Sequence, residues 1–151
     1  MSSDDQVDRP RGVYLTAVVI AQEAFRDERG RTHLIGIFDR LSAQAFPLAT
    51  DFMVWCNIKG HGTATILLRL IDAEKAELIT TDPLVAEVTP FKGHEWFVTV
   101  KTTFPSPGLY KLVAIVDDEP LLEVPLMVWR TGDKAPVDES QPSAPETTSD
   151  E

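Results

Sequence analysis

The sequence has little cysteine, no long apolar run and a deficit of positive charge, and each shortage excludes something. Cys56 is the only cysteine, so no disulfide can form within the chain, which fits a reducing compartment. The longest apolar runs, such as Ala17 to Ala21, fall far short of the roughly 20 residues that cross a bilayer as a helix. The N-terminal stretch carries Asp4, Asp5 and Asp8 and lacks the apolar centre of a secretory signal. Together these absences predict a soluble, cytoplasmic protein with no membrane partner. Lys and Arg number 14 against 24 Asp and Glu, a formal net charge of -10. That balance repels phosphate backbones, so nucleic acid is not an expected partner. Arg26, Arg29 and Arg31 are interleaved with Asp27 and Glu28 and read as a solvated hairpin tip.

What remains is ample for one core: 151 residues, 43% of them hydrophobic. Residues 1–12 are almost without apolar side chains, and residues 131–151 are rich in Pro, Ser, Thr, Asp and Glu. Neither tail can offset an ordering cost of roughly 1–2 kcal/mol per residue, so both are expected to be disordered around a domain at residues 13–130.

Within that domain no stretch of a dozen residues keeps helical periodicity. Short apolar runs alternate with turn residues instead. Val13 to Gln22, Thr32 to Asp39, Leu41 to Phe46, Phe52 to Lys59, Thr63 to Asp72, Leu84 to Val88, Trp96 to Phe104, Leu109 to Asp117 and Leu121 to Arg130 read as strands. The pattern predicts an all-β fold: a two-sheet antiparallel β-sandwich of seven to nine strands, immunoglobulin-like or C2-like. Phe52, Val54, Cys56 and Ile58 share one face of their strand; Ala64, Ile66, Leu68 and Leu70 share one face of the next. A turn at Gly60-His61-Gly62 is expected to pair these two strands with each other. Asp72 to Glu77 reads as a loop or one helical turn, and Pro83, Pro90 and Pro125 as guards of open sheet edges. Pro107-Gly108-Leu109-Tyr110 resembles the tyrosine corner of immunoglobulin-like sandwiches, where the hydroxyl bonds back to the chain.

Candidate chemistry is sparse. His33, His61 and His94 form no His-x-x-x-His spacing, and a zinc site would need all three, or two and a carboxylate, gathered by the fold. Cys56 sits on an apolar face, where cysteine behaves as a small hydrophobe. Ser42 and Ser106 lack a nucleophile elbow, and the glycines follow no phosphate-cradling pattern. Asp117-Asp118-Glu119 would bind calcium only if a second loop, carrying Asp72 or Asp82, added ligands. No catalytic residue, metal or cofactor is expected, and the protein is not expected to be an enzyme.

The aromatic residues say more. Trp55 and Met53 fall opposite the Phe52, Val54 and Cys56 stripe, and Trp129 and Met127 fall opposite Val124, Leu126 and Val128. Large apolar residues on nominally outer faces are covered either by the chain's own loops or by a partner. Trp55, Met53, Trp129 and Met127 are therefore the candidate interface of a non-enzymatic interaction module. Its partner is expected to be another protein or a second copy, with the acidic tail as a solubilising or recognition segment. The alternative is a ligand- or ion-binding sandwich using the loops around His61, His94 and Asp117 to Glu119 at one end.

The stretch from Ala21-Gln22-Glu23 through Leu34-Ile35-Gly36-Ile37-Phe38-Asp39, followed by Phe46-Pro47, resembles a family of small bacterial proteins known only as a domain of unknown function. The strand with Arg69, Leu70, Ile71 and Asp72 and the closing Pro-Gly-x-Tyr hairpin are similar too. The resemblance covers about Val13 to Arg130. It implies a sandwich and a bacterial source, and it brings no activity.

Overall fold

The computed structural model describes residues 12–133, so the tails expected to be disordered fall outside the described residues except for Gly12 and residues 131–133. Ten strands and no helix occur among the described residues: β1 (Val13–Arg26), β2 (Thr32–Ile37), β3 (Arg40–Ala43), β4 (Leu48–Gly60), β5 (Gly62–Ile71), β6 (Glu77–Thr80), β7 (Leu84–Val88), β8 (His94–Phe104), β9 (Gly108–Val116) and β10 (Glu119–Arg130). The first sheet has the order β2-β1-β4-β8 and the second β3-β10-β9-β5-β6, with β7 also paired to β5. The strand beyond the expected seven to nine is β6. The turn anticipated after Ile71 closes by Ala76, and Glu77 to Thr80 pairs back onto β5.

Strand alternation builds the core. Phe52, Val54, Cys56 and Ile58 on β4 are buried, and so are Ala64, Ile66, Leu68 and Leu70 on β5. These two stripes do not lie side by side as expected. β4 pairs with β1 and β8, while β5 pairs with β9, β6 and β7. The stripes belong to opposite sheets of the sandwich. Alternation fixes which face of a strand is buried and says nothing about its neighbour, so both arrangements satisfy the same pattern.

The link at Gly60-His61-Gly62 is a corner between sheets. Gly60 and Gly62 have φ of 116° and 121°, and a Cβ on Gly60 would lie 2.1 Å from the carbonyl oxygen of Gly12. Only glycine tolerates such a crossing. A second corner joins β8 to β9. There Tyr110 Oη donates to the Ser106 carbonyl at 2.6 Å, and its ring meets Phe104 edge-on at 4.8 Å.

One pairing departs from the antiparallel expectation: β3 runs parallel to β10, with Leu41 opposite Val128. Pro125 lies just before that contact begins, where β10 has β9 on one side only and a missing N–H costs no ladder bond.

The β1–β2 and β5–β6 turns are built alike. Asp27 Oδ1 accepts the backbone N–H groups of Arg29 and Arg31, both at 2.9 Å, while Asp27 N–H donates to the Arg31 carbonyl. Asp72 Oδ1 does the same for Glu74 and Ala76. The fourth position of each turn is left-handed, filled by Gly30 (φ 78°) in one and by Lys75 (φ 68°) in the other. The β9–β10 hairpin turns on Asp117 and Asp118, both with positive φ.

Candidate functional site

β1 outlasts its partner in the first sheet. Its pairing with β4 ends at Ala21 opposite Met53, and the residues after it pair only with β2. The resulting arm does not run straight on. Ala17 is opposite Asn57, which on its other side is opposite Glu95 of β8. Arg26 would stand about 30 Å beyond that level on a straight strand. Yet the Arg26 guanidinium pairs with Glu95 Oε2, and Thr32 Oγ1 donates to Glu95 Oε1. The arm therefore folds back across the outer face of the first sheet.

Trp55 completes this cluster, its Nε1 donating to Glu95 Oε1 at 2.9 Å. Three donors from β1, β2 and β4 thus converge on one carboxylate. Partial burial pushes the Glu95 acid up, but the bonds from Thr32, Trp55 and Arg26 outweigh it and hold the group below the usual range.

At the arm's tip, Asp27 Oδ2 contacts His33 Nε2 at 2.7 Å and accepts from Arg31 Nε at 2.9 Å. The His33 contact first, then the bonds from Arg31 and Arg29, lower Asp27 from 3.8 to about 2. The basic tip read from the sequence is thus organised by its own aspartate.

Alternation splits the arm into two faces. Ala24 and Leu34, opposite one another, are half-buried on the side that carries Arg26 and Thr32. The other side presents Phe25, Ile35 and Ile37, which are 44%, 48% and 63% exposed. Phe25 stacks on His33 with ring centroids 5.0 Å apart. This face of the two-stranded ribbon is largely apolar, with the exposed Glu23 opposite Ile35, and β2 forms the outermost edge of its sheet among the described residues.

The other edges are defended. β3 and β6 have four residues each. β7 is flanked by Pro83 and Pro90, and β8 carries Glu95 and Lys101 and runs beside residues 79–84. β2 reads Thr-His-Leu-Ile-Gly-Ile, with neither proline nor a formal charge.

The residues singled out in the sequence are only partly brought together. Trp55 and Met53 lie on the outer face of the first sheet, half-buried, with Thr99 Oγ1 bonded to Met53 Sδ at 3.1 Å. Trp129 and Met127 are half-buried on the outer face of the second sheet, opposite Ser42 and Arg40 of β3. The two pairs occupy opposite sides of the sandwich and form no common surface.

His61, His94 and the Asp117 turn do share one end of the molecule, at the end of β4, the start of β8 and the β9–β10 turn. Asp117 is already engaged, its Oδ1 accepting Thr65 N–H at 2.9 Å. Among the described residues no three His, Cys, Asp or Glu side chains are grouped to hold a metal ion. Cys56 is buried, and desolvation pushes its thiol up to about 12. Ser106 serves through its carbonyl, as the acceptor for Tyr110. No helix among the described residues is long and apolar enough to cross a membrane.

Sequence reasoning missed Glu95, which it left in a loop, and the exposed face of the arm. The available signal was Trp55 itself, whose indole N–H on a covered outer face needs an acceptor.

No curated protein matches the chain. Among solved structures it is similar to the C-terminal domain of Wzt, at 11% identity with a TM-score of 0.49, covering 89% of this chain and 84% of that one. It is also similar to parts of two large proteins. One is described as a beta-galactosidase of Bacteroides fragilis (17% identity, TM-score 0.46, 78% of this chain) and the other as a beta-glucuronidase of glycoside hydrolase family 2 (15%, 0.40, 78%). The chain spans only 16% and 11% of those two proteins. A family of unknown function, DUF6941, matches residues 16–129, three quarters of the sequence, and the chain belongs to that family.

Proposed function

We propose that this domain is a non-enzymatic assembly module that pairs the free edge of β2 with an extended strand of its partner, in the first instance a second copy of itself. The observation that carries the reading is the edge of β2, unpaired among the described residues and uncharged, though interrupted at Gly36 (φ 70°), beside the exposed Phe25, Ile35 and Ile37. An edge of this kind offers unpaired backbone groups, and apolar side chains along it add contact area. Because β2 bears no formal charge, two copies would meet there without opposed like charges despite the chain's net charge of -10.

The burial of Cys56, which keeps its thiol from acting as a nucleophile, supports the non-enzymatic part of the reading. The Tyr110 corner supports an immunoglobulin-like kinship, and the lone reduced Cys56 a cytoplasmic location. Sedimentation of the full chain over a range of concentrations tests the proposal, beside the variants Ile35→Glu and Ile37→Glu. The expected result is a reversible dimer that both substitutions convert to a folded monomer. A wild-type chain that stays monomeric at every concentration removes self-pairing.

A further inference from the structure

A cleft of about 340 Å³ opens where β1 begins and β4 ends, and it shares no residue with the arm. Gly12 and Gly60 line it and are packed backbone against backbone: a Cβ on Gly12 would come within 2.9 Å of the His61 carbonyl, and one on Gly60 would collide with Gly12. Tyr14 and Pro90 form apolar walls.

Beside the cleft, Phe91 stands 99% exposed on the turn from Thr89 to Lys92. That turn is closed by reciprocal backbone bonds between Thr89 and Lys92, both 3.1 Å, and by Lys92 N–H donating to Thr89 Oγ1. A large aromatic ring is thus held in water on a firmly bonded turn.

The charge inside the cleft is of one sign. Lys59, the cross-strand neighbour of Tyr14, lines it and makes no ion pair among the described residues. Its chain passes over Gly93, where a Cβ would meet Lys59 Cδ at 2.8 Å and Nζ at 3.0 Å. His61 is at the rim, and among the described residues no carboxylate lines the cleft. In a chain with a net charge of -10, an apolar slot carrying an unneutralised ammonium is complementary to an organic anion.

We infer that this cleft binds a small organic anion with a flat apolar body, an aryl carboxylate being its simplest form. The ring would lie between Tyr14 and Pro90, and the carboxylate would meet Lys59 Nζ. The volume is more than twice the roughly 150 Å³ that holds benzene, so it admits a ring with its acid group and leaves room for a larger apolar body.

The test is an amide-resolved NMR titration of the full chain with benzoate and with its neutral counterpart benzamide, at constant ionic strength. Benzoate is expected to shift the amides of Gly12, Gly60 and His61 saturably, and benzamide to bind about tenfold more weakly, because a charge-assisted hydrogen bond is lost. Lys59→Met should abolish the difference between the probes, and Tyr14→Ser should abolish saturation by either. Both side chains are exposed, so the variants should keep the wild-type melting temperature. The inference is overturned if neither probe saturates, if benzamide binds as well as benzoate, or if both substitutions leave benzoate binding unchanged.

Discussion

The indole of Trp55 and the carboxylate of Glu95 meet through a single 2.9 Å hydrogen bond, and through it the folded-back arm is joined to the sheet beneath. Arg26 and Thr32 come from the arm, Trp55 from the sheet, and Glu95 is their shared acceptor. Replacing Glu95 by Ala strips all three donors at once. The expected cost is about 1–3 kcal/mol, with the loss concentrated at the arm. Hydrogen exchange should quicken for the amides of β2, and the indole N–H resonance of Trp55 should move while those of Trp96 and Trp129 stay. Unchanged exchange in β2 would show that the arm is held by its turn and not by this latch.

Acid should loosen the same arm. Glu95 and Asp27 are both held below their ordinary ranges, so each contributes stability at neutral pH that is lost as pH falls through its folded value. For Asp27 the window runs from about 4 down to about 2. Amide shifts of Arg29 and Arg31, which bond to that carboxylate, should titrate there. Titration of these amides at an ordinary aspartate value would contradict the geometry.

The paired turns make a matched experiment. Lys75 occupies a left-handed position that costs a non-glycine residue about 1 kcal/mol, whereas Gly30 occupies the equivalent position freely. Lys75→Gly is therefore expected to raise the melting temperature by a few degrees, and Gly30→Ala to lower it by a similar amount. Thermal unfolding of both variants followed by circular dichroism reads the two signs directly.

Tyr110→Phe removes one hydroxyl and little else. Loss of its bond to the Ser106 carbonyl should cost about 1 kcal/mol in urea unfolding, with the denaturant slope unchanged. A neutral substitution would mean that the corner is held by the Phe104 contact alone.

Cys56 should resist modification. Its thiol is buried and pushed up to about 12, so a thiol reagent at neutral pH should react only as fast as the domain opens. Urea should restore full reactivity with the same midpoint as unfolding.

The sequence made the faces legible and the neighbours obscure. The alternation at Phe52, Val54, Cys56 and Ile58 placed those residues inside, and the structure buries every one. The same alternation at Ala64 to Leu70 could not say whether the stripe lay beside the first or across from it. The two glycines that open the corner suit a hairpin equally well. The arm was hidden for a different reason: its course depends on where β4 stops covering β1, and no local pattern reports the length of a distant partner. Trp55 was correctly placed on an outer face, but its acceptor comes from a strand forty residues on. Phe25, Ile35 and Ile37 read as ordinary strand residues, because exposure is a property of the fold and not of the pattern.

The parallel pair of β3 and β10 has a consequence for how the chain reaches this state. Among the described residues β3 has no partner strand other than β10, the last of the ten in chain order. The second sheet therefore closes only through a contact between the first third of the domain and its very end, the kind of non-local pairing that slows folding. During synthesis β9 must wait with one edge bare until β10 emerges. A chain cut short before Glu119 would leave β3 unpaired and one edge of β9 bare.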